Sequence, residues 1–163
     1  MVNWMKRRDG KGPQFTGRGM VRAAMNLEGA WHVVATNFPM WMKGDRTRPR
    51  FIYSNPRVVE GLQRFDDTVE YVQGGRTKTI TGVDTQESEG TSKYVWRGRG
   101  WLRFFVSRWQ VIAVSADEQC LALSFTKTWA TPAGIDLIAR SPSVDFSAVL
   151  AAIGSPALMK VAW

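Results

Sequence analysis

The stretch from Trp109 to Ile153 constrains the fold more than any other part of the chain. Trp109-Gln-Val-Ile-Ala-Val114 is a β-branched run, and Ala116-Asp117-Glu118 supplies turn chemistry. Cys120-Leu-Ala-Leu-Ser-Phe125 then alternates small and large side chains with the period of two expected of a strand with different faces. A loop carrying Thr131-Pro132-Ala133-Gly134 leads to a third strand, Ile135-Asp-Leu-Ile-Ala-Arg140. Ser141-Pro142-Ser143-Val144-Asp145 closes it and offers a cap to a helix whose Phe146, Val149, Leu150 and Ile153 fall at i, i+3, i+4 and i+7. Three antiparallel strands followed by a helix with one apolar face predict a β-barrel dressed on its outside by that helix.

This order, with a strand opening on Gly29-Ala30-Trp31 far upstream, resembles the lipocalins. The resemblance covers roughly residues 27 to 153 and implies an all-β fold: an eight-stranded antiparallel up-and-down barrel with a C-terminal helix packed outside. It also implies roles for three residues. Gly29 would admit a close backbone approach at the closed end, Trp31 would plug that end, and Arg140 would stack across the indole as a cation–π pair. At the turn where many lipocalins carry Thr-Asp-Tyr, this chain has Ser115-Ala116-Asp117 and keeps only a turn-forming acid.

At 163 residues, 44% hydrophobic and 22% charged, the chain has the size and composition of one globular domain. The division expected is a basic, Gly-rich lead-in over residues 1–24, a mobile tail or a lid, and a barrel with its helix over residues 25–163. Cys120 is the single cysteine, which excludes an internal disulfide and favours a reducing compartment. The basic Met1 to Arg8 cluster precedes no apolar stretch of the kind a secretory signal needs, and no run reaches the length of a membrane span, so a cytoplasmic location is expected. Residues 1–50 hold ten Lys and Arg against three acids, most of the net charge of +8. No helix-turn-helix, zinc-finger spacing or RNP-type strand accompanies that charge, so no specific nucleic-acid partner is expected. The sequence is compatible with a monomer or a homodimer.

Further strands are expected at Trp31–Thr36, near Phe51–Ser54 ending at Asn55-Pro56, at Thr68–Gln73 joined through Gly74-Gly75 to Arg76–Thr81, and at Lys93–Arg97. Leu158–Val161 could add a short outer strand, and Met20–Met25 a single helical turn. A barrel of this strand number can hold one small ligand. Alternation puts Trp31, Val33 and Ala35 on one face of the first strand, Phe51 and Tyr53 on one face of the second, and Val69 and Tyr71 on one face of the third. Tyr94 and Trp96, Trp109 and Val111, and Leu121, Leu123 and Phe125 pair in the same way. The expected partner is therefore a small hydrophobic ligand, with Val33, Phe38, Trp41, Phe51, Tyr53, Tyr71, Tyr94, Trp96, Trp109, Val111, Leu123 and Phe125 as candidate ligand-binding residues. The same residues could instead simply fill the core. Phe38-Pro39-Met40-Trp41-Met42 is the candidate gate over the open end, and Arg46, Arg48 and Arg50 beyond it could meet an acidic head group or form a solvated edge.

Catalytic signatures are few. His32, the one histidine, is out of phase with Trp31, Cys120 has no basic neighbour in sequence, and no nucleotide, metal or hydrolase motif is present, so no cofactor is expected and no metal. One enzyme class fits a lidded aromatic chamber: a cofactor-independent cyclase or isomerase that preorganises a polyene substrate. In that reading Tyr53, Tyr71 or Tyr94 would polarise a carbonyl, and Glu70 or Asp136 would act as acid or base if its strand phase points inward.

Overall fold

The structure is a computed structural model that describes residues 25–129 and 131–163. The readings placed on residues 1–24 lie outside the described residues. Nine strands alternate along the chain: β1 Gly29–Thr36, β2 Thr47–Val59, β3 Leu62–Gln73, β4 Arg76–Gln86, β5 Lys93–Gly98, β6 Val106–Val114, β7 Cys120–Phe125, β8 Gly134–Ala139 and β9 Met159–Lys160. Two short helices accompany them, α1 Pro39–Met42 and α2 Ser147–Ala152, with a 3-10 turn at Gly100–Phe104. Each strand from β2 to β8 pairs antiparallel with the next, β8 pairs with β1, and β1 pairs back with β2. This closes an eight-stranded barrel with α2 on its outside. β9 joins β1 at Ala35 and Thr36, on the edge that β2 leaves after pairing with Gly29–His32.

Strand phase divides the apolar residues into two layers. Leu121 and Leu123 point into the barrel, where they join Trp31, Val33, Phe51, Tyr53, Trp109 and Ile138. Cys120 and Ala122 point outward and meet Val34, Leu137, Ala139 and Val149 of α2. Small outward side chains on β7 let the helix approach closely. Burying Val149 there contributes about 1.5–3 kcal/mol. Just ahead of the helix, Asp145 Oδ1 accepts the Ser147 N–H at 2.9 Å.

Two expectations need correction. Ala35 does not share the inner face with Val33: a β-bulge at Val34 shifts the phase, so that Ala35 joins the layer under α2 and Thr36 turns inward. Nor does Asn55-Pro56 end β2, which continues to Val59 through a register shift, with Asn55 at φ +50°. β1 no longer pairs with β2 beyond Tyr53, so the missing Pro56 N–H costs no hydrogen bond on that edge.

Candidate functional site

At the closed end, the Trp31 indole N–H donates to the Leu27 carbonyl at 2.8 Å and the Arg140 guanidinium carbon lies 3.8 Å from the ring centroid. Arg140 also donates to the carbonyl oxygens of Glu28 at 2.8 Å and Asn26 at 3.2 Å. Gly29 has φ +102°, and a Cβ there would stand 2.9 Å from Arg140 Nη1, so both its conformation and its neighbour require glycine. The base is thereby sealed.

Above it runs a column of rings. Tyr94 stacks on Trp109 with centroids 4.5 Å apart, Trp109 on Tyr53 at 6.0 Å, and Tyr53 on Phe51 at 6.2 Å, while Phe65 meets Tyr53 edge-on at 5.0 Å. Between this column and the open end lies a cavity of about 200 Å³. Phe38, Trp41, Phe51, Tyr53, Trp96, Trp109 and Phe125 line it, together with Asp136. Val33, Val111, Leu123, Tyr71 and Tyr94 do not line it. The first three and Tyr94 pack in the barrel interior, and the Tyr94 hydroxyl donates to Gln63 at 3.1 Å. Tyr71 lies edge-on to Trp41 with centroids 5.7 Å apart, beneath the Arg46 guanidinium at 5.2 Å.

Glu70 is on the outer face of β3, out of phase with Val69 and Tyr71, and pairs with Arg50 at 2.6 Å. Its assignment as an interior acid or base is therefore withdrawn. Arg50 is occupied by that pair and Arg46 by Tyr71, so neither faces the cavity. His32 is likewise on the outside, edge-on to Trp163 with centroids 4.6 Å apart. Cys120 is buried beneath α2, where burial pushes its thiol up to about 12 and leaves it inert.

The gate is α1. Pro39 occupies the first turn, where its missing N–H is not needed, and the Lys43 N–H donates to the Pro39 carbonyl at 3.2 Å. This turn folds Trp41 into the barrel mouth, where it is buried and lies beside Asp136 on the cavity wall.

Interior carboxyls are the feature that periodicity left largely unread. Asp67, Asp84 and Asp136 are all buried. Asp136 accepts from the Thr36 hydroxyl at 2.6 Å, and burial still raises its carboxyl to about 7. Asp84 accepts the Trp109 indole N–H at 2.7 Å and lies against Asp67. Burial, then the Asp84 charge, holds Asp67 well above the usual carboxylate range. Asp67 and Asp136 line the cavity, giving an aromatic chamber two polar points. The signal that could have found them is phase, since Asp67 and Asp136 each lie two residues from an inward side chain, Val69 and Ile138. Met40 of α1 and the loop residues Phe105, Trp129 and Thr131 also line the wall, and no period marks them. Tyr53 is deeply buried and its phenol is raised well above its usual range, while burial pushes Tyr94 up to about 12, so both rings act as neutral phenols.

Comparison with protein-family models finds no match, and comparison with curated proteins finds none either. Solved structures do match. The siderocalin Ex-FABP aligns with a TM-score of 0.55 at 15% identity, over 76% of this chain and 80% of its own. A biogenic amine-binding protein, as its selenomethionine derivative, aligns with a TM-score of 0.54 at 11% identity, over 82% of this chain and 75% of its own. The amine-binding protein of Rhodnius prolixus, in its tryptamine complex, gives 0.52 at 12% identity, over 82% and 74%. These are lipocalin-type barrels, and their likeness extends over most of the described strands. Closed barrel, outer helix and the Trp31–Arg140 seal together give this chain a lipocalin-like β-barrel fold.

Proposed function

We propose that the protein binds a small hydrophobic ligand inside the barrel. The observation that carries this reading is the cavity itself: about 200 Å³ walled by Phe38, Trp41, Phe51, Trp96, Trp109 and Phe125, sealed below and gated above. The volume suits a compact ligand of one or two rings. Asp67 on the wall would favour a ligand that carries a hydrogen-bond donor, since its Oδ1 is buried without a hydrogen-bond partner among the described residues. The siderocalin and amine-binding neighbours support a ligand-binding use of such a barrel. The free thiol of Cys120 is compatible with the cytoplasmic location that we include in this reading. The test is titration with a polarity-sensitive apolar dye, read by tryptophan quenching. One-to-one saturable binding that a Trp96→Ala change weakens is expected, and no saturable binding would overturn the reading.

A second reading, a cofactor-independent cyclase or isomerase for a polyene, is favoured by one observation: the Asp136 carboxyl, raised by burial to about 7, sits on the cavity wall and could exchange a proton with a bound molecule. Its test is conversion. A candidate polyene must react faster with protein than without, and Asp136→Asn must lower that rate while dye binding persists.

A further inference from the structure

We propose that the open end of the barrel docks on anionic lipid membranes. Three large aromatic side chains stand out from this end: Trp101 and Phe104 on the 3-10 turn between β5 and β6, and Trp129 between β7 and β8, exposed by 76%, 72% and 81%. Single exposed apolar residues need no explanation, but Trp101 and Trp129 belong to a connected patch, with Phe104 beside them under the Arg103 guanidinium. Trp101 lies edge-on to Phe105 with centroids 6.0 Å apart, and Phe105 lies 5.1 Å from Trp129. Phe105 and Trp129 also line the cavity, so the patch runs without interruption from the outer surface into the barrel.

The turn that carries the patch is braced. The Gly98 N–H donates to the Phe105 carbonyl at 3.2 Å, Phe105 N–H to Leu102 at 2.8 Å, and Arg99 N–H to Thr81 at 2.9 Å. Trp101 and Phe104 are thus presented on a fixed support, with the cost of ordering them already met by the fold.

Charge selects the occupant. Arg76 and Lys78 in the β3–β4 hairpin, Arg97 and Arg103 beside the 3-10 turn, and Lys127 after β7 are exposed, and none forms an ion pair among the described residues. The connections β1–β2, β3–β4, β5–β6 and β7–β8 that make up this end contain a single acid, Asp45. Indoles and a phenyl ring inside a basic ring match a headgroup layer, where Trp prefers the interface and Lys and Arg meet anionic lipid. A protein partner would be met by the same aromatics, but an almost unbroken positive rim favours a surface of uniformly negative charge. Docking in this pose would set the cavity mouth against the lipid, and it holds whether or not the ligand reading stands.

The test is co-sedimentation of the full chain with phosphatidylcholine vesicles and with mixed phosphatidylcholine–phosphatidylglycerol vesicles. Binding to the mixed vesicles only, weakened by salt, is expected. A Trp101→Ser, Phe104→Ser, Trp129→Ser triple variant should partition at least about tenfold less, because it removes the apolar half of a two-part anchor. Trp129→Ser alone, in a loop outside the strands, should lose part of the binding and serves if the triple variant fails to fold. Undiminished binding by these variants would overturn the proposal, since the basic segments alone would then suffice. So would absence of binding to mixed vesicles, or a dimer in sedimentation equilibrium that the triple variant lacks, which would make the patch an interface between two copies.

Discussion

The Arg140 guanidinium carbon sits 3.8 Å from the centroid of the Trp31 indole, and the same guanidinium donates to the backbone carbonyls of Asn26 and Glu28. One side chain thus ties the end of β8 to the segment that leads into β1. Arg140→Ala removes the stacking, the cover over the indole and those hydrogen bonds, and should destabilise the fold by about 1–3 kcal/mol in urea denaturation. Dye affinity should hardly change, because the cavity lies nearer the other end. A variant as stable as the parent would mean that the seal is dispensable.

Gly82 tests the shape of the cavity. A Cβ there would overlap the Trp96 indole, which lies flat against this glycine's backbone. Gly82→Ala should push Trp96 off its seat and into the chamber, so dye binding should fall by about tenfold or more while the strands persist in circular dichroism. Unchanged affinity with unchanged tryptophan emission would show that the wall yields without cost.

Trp96 and Trp109 should separate function from folding. Trp109 is buried, stacks on two tyrosines and donates to Asp84, so Trp109→Ala should cost about 3–5 kcal/mol and strand a buried carboxylate. Trp96 is only half-buried and forms cavity wall. Trp96→Ala should cost less stability and more affinity, as paired denaturation and dye titrations will show. The reverse ranking would place the binding surface deeper in the column.

Stability should fall as the pH rises. Burial raises Asp84 and Asp136 to about 7, whereas both ionise near 4 when unfolded. Between those values the folded state holds more protons than the unfolded one. Their stabilising contribution is therefore complete below pH ~4 and is lost as the pH climbs through ~7, by about 1.4 kcal/mol per pH unit for each group. The melting temperature should be higher at pH ~5 than at pH ~8, and Asp136→Asn should flatten the slope. A melting temperature that rises over this window would contradict the assigned protonation.

Much of the barrel was legible because its strands obey a period of two. Cys120–Phe125 occurs with the bounds its alternation gives, and Phe146, Val149 and Leu150 mark the outer helix. Gly29, Trp31 and Arg140 carry the seal in the sequence as a short, local signature. Phe38, Trp41, Phe51, Tyr53, Trp96, Trp109 and Phe125 were readable as cavity wall for the same reason, since inward phase is a local property of a strand or a breaker beside it.

What the sequence could not supply was depth along the barrel axis. Val33, Val111, Leu123 and Tyr94 share the inward phase with the wall residues, yet they fill the interior without facing the chamber, because how far each strand is staggered depends on closure with its neighbours. The bulge at Val34 turned Ala35 outward and Thr36 inward, which put a hydroxyl on Asp136, and a bulge leaves no mark in composition. The β3–β4 register set Asp67 against Asp84, and only closure brought Trp41 beside Asp136 and gathered Trp101 and Phe104 with Trp129 at one end. Those pairings join residues distant in the chain. Period fixed which way each side chain faces, and tertiary packing alone decided what it meets there.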